Sequence, residues 1–164
     1  MTLALVVLLA AGSPPAPCSA PEFRQFDFWA GDWEVSDPSG KKVGTNRIDV
    51  VQGGCALHEN WTSVKASRGE SLNFYDKNTG KWTQAWIGND GGALLLTGGM
   101  KGDAMVLEGE APAPDGTPAK QRIRWTPRPD GTVRQHWETS TDGGKSWTTS
   151  FDGIYARKPA GARR

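Results

Sequence analysis

The length and charge of the chain limit the classes of protein to which it can belong. Its 164 residues suit a single domain. With 19 basic and 18 acidic side chains, it lacks the excess of positive charge that binds a phosphate backbone, so we expect no nucleic-acid partner. Eight tryptophans and 21 glycines indicate instead a domain with a large aromatic core and many turns.

Residues 1–20 are predicted to be a signal peptide and leader. Leu3 to Ala11 is an uncharged apolar run. It is too short for a membrane-spanning helix, which needs about 20 residues, and is typical of a secretory signal. Small residues at Ala10–Gly12 and at Cys18–Ala20 both fit the cleavage rule, so the cleavage site stays open. We therefore expect an exported protein, periplasmic or secreted, with no membrane span in its mature form.

Whether the two cysteines can form a disulfide depends on where the leader is cleaved. Cleavage after Gly12 would keep both Cys18 and Cys55, which can then form a disulfide. Cleavage after Ala20 would leave Cys55 as the remaining thiol.

The folded domain is predicted over residues 21–158, with a basic tail over 159–164. Helical spacing occurs near its start, where Phe23, Phe26 and Ala30 fall at i, i+3 and i+7. This spacing predicts one or two helical turns with an apolar face.

From Asp32 onward the pattern changes to a period of two, and turn signals recur about every 12 residues. One of these signals is the pair Gly98–Gly99. Nine turns separate ten predicted strands, which span 32–37, 43–51, 55–64, 70–75, 81–87, 93–97, 103–110, 119–126, 132–140 and 146–156.

The short connections decide how these strands pair. Parallel pairing needs crossovers of a dozen or more residues, so the strands must form an antiparallel meander. A meander of amphipathic strands has exposed edges unless it closes. We therefore predict an all-β fold, an antiparallel up-and-down barrel of about ten strands with the N-terminal helical segment plugging one end. A two-sheet sandwich is the alternative.

One pattern, Glu or Gln followed two residues later by Trp, occurs in three predicted strands. Residues two apart in a strand face the same side, and apolar neighbours at the same spacing indicate that this side points inward. The predicted ligand-binding residues are Glu59, Trp61, Gln84, Trp86, Gln135 and Trp137.

Inward amides and carboxylates have two interpretations. They can satisfy one another and the indoles in a filled core, or they can line a ligand cavity. The second is favoured because even eight strands can enclose a small ligand. Burial would raise the pKa of Glu59, which makes it the one candidate for a general acid or base.

No metal or cofactor is expected. His58 and His136 each adjoin an inward residue and should face outward, and no sequence pattern supplies three metal ligands.

Several segments together resemble a family of small exported bacterial proteins with a lipocalin-like, or calycin-like, β-barrel. These are Phe26 to Val35, which contains the G-x-W of Gly31 to Trp33, then Ser71 to Asp76, Gln84 to Trp86, and Arg134 to Glu138. The resemblance runs from about Phe23 to Lys158. It implies a barrel and an exported location, and it implies no substrate or catalytic residue.

Three functions are compatible with the sequence. The first is a binding module that holds a small, partly aromatic or hydrophobic molecule in a Trp-lined interior. The second is an enzyme on the same barrel that uses Glu59 as general acid or base. The third is a carbohydrate-binding or structural interaction module, which requires Trp29, Trp33 and Trp147 on the outer surface.

Overall fold

The computed structural model describes residues 16–158, which form a closed barrel of ten antiparallel strands. The apolar run Leu3 to Ala11 and the tail 159–164 lie outside these residues. Two short 3-10 helices, Pro21–Arg24 and Asp27–Trp29, precede the barrel. The strands are β1 Gly31–Ser36, β2 Lys42–Val51, β3 Ala56–Ser63, β4 Arg68–Asp76, β5 Lys81–Gly88, β6 Ala93–Lys101, β7 Ala104–Glu110, β8 Lys120–Pro127, β9 Val133–Ser140 and β10 Thr148–Arg157.

The strands follow one another around the barrel in chain order. Each pairs with its neighbours in sequence, and β10 pairs with β1 to close the ring. The predicted antiparallel barrel is therefore confirmed, and the sandwich alternative does not occur. The register shifts between Val35 and Ser36 in β1 and between Thr149 and Phe151 in β10. Elsewhere it is regular, and inward side chains of successive strands lie side by side, as where Glu59 faces Ser71.

The turn predicted at Gly98–Gly99 is wrong, because β6 continues through both glycines to Lys101. A Cβ on Gly98 would lie 2.1 Å from the carbonyl oxygen of Val106 in β7. Glycine is present here because two backbones approach closely, not because the chain turns. The reversal comes later, at Gly102, whose φ is +65°.

The N-terminal segment plugs one end of the barrel with aromatic rings. Phe26 and Trp29 are fully buried. The Phe26 ring stacks on Trp29 at 5.0 Å and meets the edges of Trp125 and Trp82 at 5.2 and 5.6 Å. All four residues are at most 2% exposed, so the N-terminal segment fills this end of the barrel as the predicted plug.

A disulfide between Cys18 and Cys55 ties the start of this segment to the chain just before β3, with the two Cα atoms 5.1 Å apart. The indole N–H of Trp82 also holds the segment by donating to the carbonyl of Glu22 and to Gln25 Oε1, both at 3.2 Å. Cys18 belongs to the predicted leader, so this bridge requires a mature chain that keeps it.

The first and last strands are joined by more than backbone pairing. The Arg157 guanidinium lies 4.4 Å from the ring centre of Trp33 and donates to the carbonyl of Ala30 at 3.1 Å. The Trp33 indole donates to the carbonyl of Trp29 at 2.9 Å. Over residues 16–158, no helix has the length and apolar character needed to span a membrane.

Candidate functional site

The end of the barrel opposite the plug holds a cavity of about 660 Å³. All six side chains predicted to bind a ligand line it: Glu59, Trp61, Gln84, Trp86, Gln135 and Trp137. The interior wall also includes Leu94, Ile123, Phe151 and Tyr155. Exposed residues in the loops after β1, β3 and β5, among them Lys41, Lys65 and Asp90, form the rim. The fold thus brings three separate strands to one space, and ligand binding by these residues stays a prediction.

Glycines on neighbouring strands make room for two of the indoles. A Cβ on Gly44 in β2 would lie 2.5 Å from the Trp61 ring, and one on Gly69 in β4 would lie 2.1 Å from the Trp86 ring. Each ring therefore occupies space that a side chain at the glycine position would fill. Phe151 meets Trp61 edge-on, with the ring centres 5.8 Å apart. The aromatic wall is consequently held by packing before any ligand enters.

The third indole is held by a hydrogen bond. Trp137 Nε1 donates to Gln121 Oε1 at 2.7 Å, and the Thr139 hydroxyl donates to the same oxygen at 2.8 Å. Gln121 is itself buried, and its amide nitrogen donates to the carbonyl of Ala111 at 3.0 Å. This chain of bonds orients the ring of Trp137 on the cavity wall.

The floor of the cavity carries a buried carboxyl group. Glu59 is 3% exposed, and its two oxygens accept hydrogen bonds from Asn46 Nδ2 at 2.7 Å and from the Ser71 hydroxyl at 2.6 Å. Burial raises the pKa of Glu59 to about 7, and the two hydrogen bonds oppose that rise. A carboxyl group in this setting changes protonation state near neutral pH.

A polar network spreads from Glu59 in both directions around the barrel. On one side, Ser71 Oγ accepts from Asn73 at 2.9 Å, and Asn73 Oδ1 accepts from Gln84 Nε2 at 2.9 Å. The inward face of β4 is therefore polar, while its apolar residues Leu72 and Phe74 face outward.

On the other side, Asn46 Nδ2 reaches the Tyr155 hydroxyl at 3.4 Å, and that hydroxyl donates to Gln135 Oε1. Burial, together with the charge of Glu59, raises the pKa of Tyr155 well above its usual range. A connected hydrogen-bond network therefore forms the floor and an open cavity lies above it, so each sequence interpretation describes one part of the site, while ligand binding stays a prediction.

Sequence reasoning missed several residues that form the floor of the cavity or hold its indoles, namely Asn46, Ser71, Asn73, Gln121 and Tyr155. Ser71 and Asn73 had a usable signal, since they alternate with apolar residues at a spacing of two. The rule that apolar residues point inward hides that signal. In β4 the apolar residues face outward and the polar residues face inward.

The histidines lie on the outer surface. His58 Nε2 contacts Glu70 at 3.0 Å, and His136 Nε2 contacts the Thr149 hydroxyl at 3.0 Å. Across residues 16–158, no group of three or more His, Cys, Asp or Glu side chains is arranged to hold a metal ion.

The tryptophans needed for an exposed carbohydrate platform are not available. Trp29 and Trp33 are fully buried. Trp147 is half-buried, and the Arg122 guanidinium covers its ring at 4.0 Å. The surface that the third functional alternative requires is therefore not formed by these residues.

No family model matches the chain, and no curated protein sequence does either. Membership of the lipocalin-like family stays a prediction, and function has to be argued from the cavity itself.

Proposed function

We propose that this barrel binds a small, partly aromatic or hydrophobic molecule in the cavity at its open end. The observation that carries the proposal is the convergence of three Glu/Gln-x-Trp pairs on one space of about 660 Å³. A cavity of this size suits a small organic ligand, and apolar walls with a few polar groups are typical of such sites.

The walls and the floor have different roles. The indoles of Trp61, Trp86 and Trp137 offer flat apolar surface that stacks on a ring or covers an alkyl chain. Glu59 and Gln84, which belong to a connected hydrogen-bond network, present polar atoms in fixed directions. The walls would supply affinity, and the floor would orient the ligand.

Native mass spectrometry of the protein purified without denaturant tests this proposal. We expect a small-molecule adduct on the wild-type chain that is lost in Trp86→Ala and in Gln135→Ala. Trp147→Ala is the matched control, since its ring lies outside the cavity lining. An adduct that survives both cavity substitutions, or an apo protein that binds no apolar probe, would contradict the proposal.

A second candidate is catalysis in the same cavity, and the observation in its favour is the raised pKa of Glu59. Its pKa of about 7 would suit a general acid or base at neutral pH. Once the adduct has been identified by mass, the molecule can be incubated with the protein. Conversion that is lost in Glu59→Gln, with binding kept, would favour the enzyme.

Export is a further part of the proposal. Disulfides persist mainly in oxidising compartments, and the Cys18–Cys55 bridge supports a periplasmic or secreted location. Retention of Cys18 also favours leader cleavage before this residue. The mass of the mature chain tests the second point, because an N-terminus after Cys18 would contradict it, and an uncleaved chain retained in the cytoplasm would contradict export.

A further inference from the structure

We infer that the ligand carries a positively charged nitrogen, an ammonium or alkylated amine on an aromatic or apolar body, and that this nitrogen is held against Glu59. The inference rests on the proposed binding function and names the chemical class of its ligand.

The first argument is an incomplete charge pair. Glu59 is the one buried acidic or basic side chain among residues 16–158. Its hydrogen-bond partners, Asn46 and Ser71, are neutral donors, which favour the ionised carboxylate. No lysine or arginine of the described chain forms a salt bridge with it. Buried charges are normally paired, and a cation that enters through the cavity that Glu59 lines would complete the pair.

The second argument is the aromatic wall above the carboxylate. Trp61, Trp86, Trp137 and Phe151 line the same cavity as Glu59. The faces of aromatic rings carry negative potential and attract ammonium groups, most strongly where water is excluded. An anionic ligand would instead bring a second negative charge into this surrounding.

The rim of the cavity carries more basic than acidic residues, and this is the strongest argument against a cationic ligand and for an anionic one. Lys41, Lys42, Lys65 and Arg68 lie around the opening, against Asp37 and Asp90. These basic residues are exposed, and Lys42 is already paired with Glu34. Solvent and salt screen the interactions of exposed charges with a ligand. We therefore expect the buried carboxylate to decide which ligand charge is preferred.

Binding of a cation at Glu59 should depend on pH. The carboxylate form dominates above a pKa of about 7. Of the ionisable groups near it, Tyr155 on β10 has a pKa far above this range, and His58 on β3 lowers the pKa of Glu59 by charge attraction. Affinity for an amine should rise as the pH increases from about 6 to about 8, while affinity for a neutral analogue should not.

Three probes with the same ring separate the possibilities by isothermal titration calorimetry on the intact chain. They are naphthylethylamine, naphthylethanol and naphthylacetate, which are positive, neutral and negative. At pH 8 the amine should bind about 10- to 100-fold more tightly than the alcohol, the usual range for hydrogen bonds to charged groups. Glu59→Gln should abolish this ratio and keep alcohol binding. Glu108→Gln removes an exposed carboxylate on β7 and should leave the ratio unchanged.

Each contrary result has a separate meaning. Equal affinity for amine and alcohol in the wild type, or tightest binding of naphthylacetate, would overturn the cationic ligand and leave the binding function intact. Failure of all three probes to bind would overturn both. If Glu59→Gln does not fold, as judged by circular dichroism, the wild-type ratio at about pH 6 and pH 8 decides, because a ratio that does not change with pH also overturns the inference.

Discussion

Replacing Glu59 with glutamine should stabilise the protein at pH 8 and leave its stability nearly unchanged at pH 4. Burial raises the pKa of this carboxyl group from the ordinary value of 4.5 to about 7. Between these values the folded chain still holds a proton that the unfolded chain has released. The unfolded state then binds fewer protons, so the free energy of unfolding falls as the pH rises through this window.

The structure also sets the size of the effect. Each pH unit inside the window is worth about 1.4 kcal/mol, so the full difference is about 3 kcal/mol, reached above pH 7. Glutamine has nearly the same shape and keeps an oxygen for Asn46 or Ser71, but it does not titrate. The free energy of unfolding of the variant should therefore not show the decrease that the wild type shows between pH 4.5 and about 7.

Urea unfolding at pH 4, 6 and 8 measures this difference directly. Other carboxylates, such as Asp142, titrate alike in both proteins, and their contribution cancels in the comparison. Glu108→Gln reports the effect of removing an exposed negative charge. A stability difference between Glu59→Gln and wild type that stays constant from pH 4 to pH 8 would refute the reasoning, as would a variant less stable than wild type at pH 8.

Three other predictions concern the disulfide, a glycine and the indoles. Cys18→Ser with Cys55→Ser should lower the free energy of unfolding by about 4 kcal/mol, because the bridge spans 37 residues; a loss below about 1 kcal/mol in urea would contradict this. Gly69→Ala should weaken binding of a naphthyl probe about tenfold by displacing the Trp86 ring, whereas Gly99→Ala, whose Cβ would meet no atom within 4 Å, should not. Unchanged binding in Gly69→Ala, measured by calorimetry, would exclude that role. Since four tryptophans are at most 2% exposed, the intrinsic fluorescence of the folded protein should be blue-shifted and should resist quenching by iodide. Red-shifted fluorescence that iodide quenches would contradict this prediction.

The fold was predictable because its signals are local. Turn residues at regular spacing and a period of two specify short antiparallel strands, and short connections leave few ways to join them. The error at Gly98 arose because glycine serves both turns and close backbone approach, and only the partner strand distinguishes them.

The candidate site was predictable in part for the same reason. Glu59 and Trp61 share a face by alternation alone, and so do the other two pairs. The contact between Asn46 and Tyr155 required the closed barrel itself, since these two residues are 109 residues apart in the chain. The burial of Trp29 was not predicted, because this residue lies outside the predicted apolar face of Phe23, Phe26 and Ala30 and is covered through its contacts with Phe26 and Trp125.

The pairing of the last strand with the first has a consequence for how the chain acquires its structure during synthesis. Trp33 lies beside Arg157, so the contacts that complete the ring join opposite ends of the domain. Until β10 has emerged from the ribosome, β1 and β9 each keep a row of unpaired backbone groups open to other chains. A nascent chain that stalls before its final ten-residue strand is thus the form of this protein most prone to aggregate.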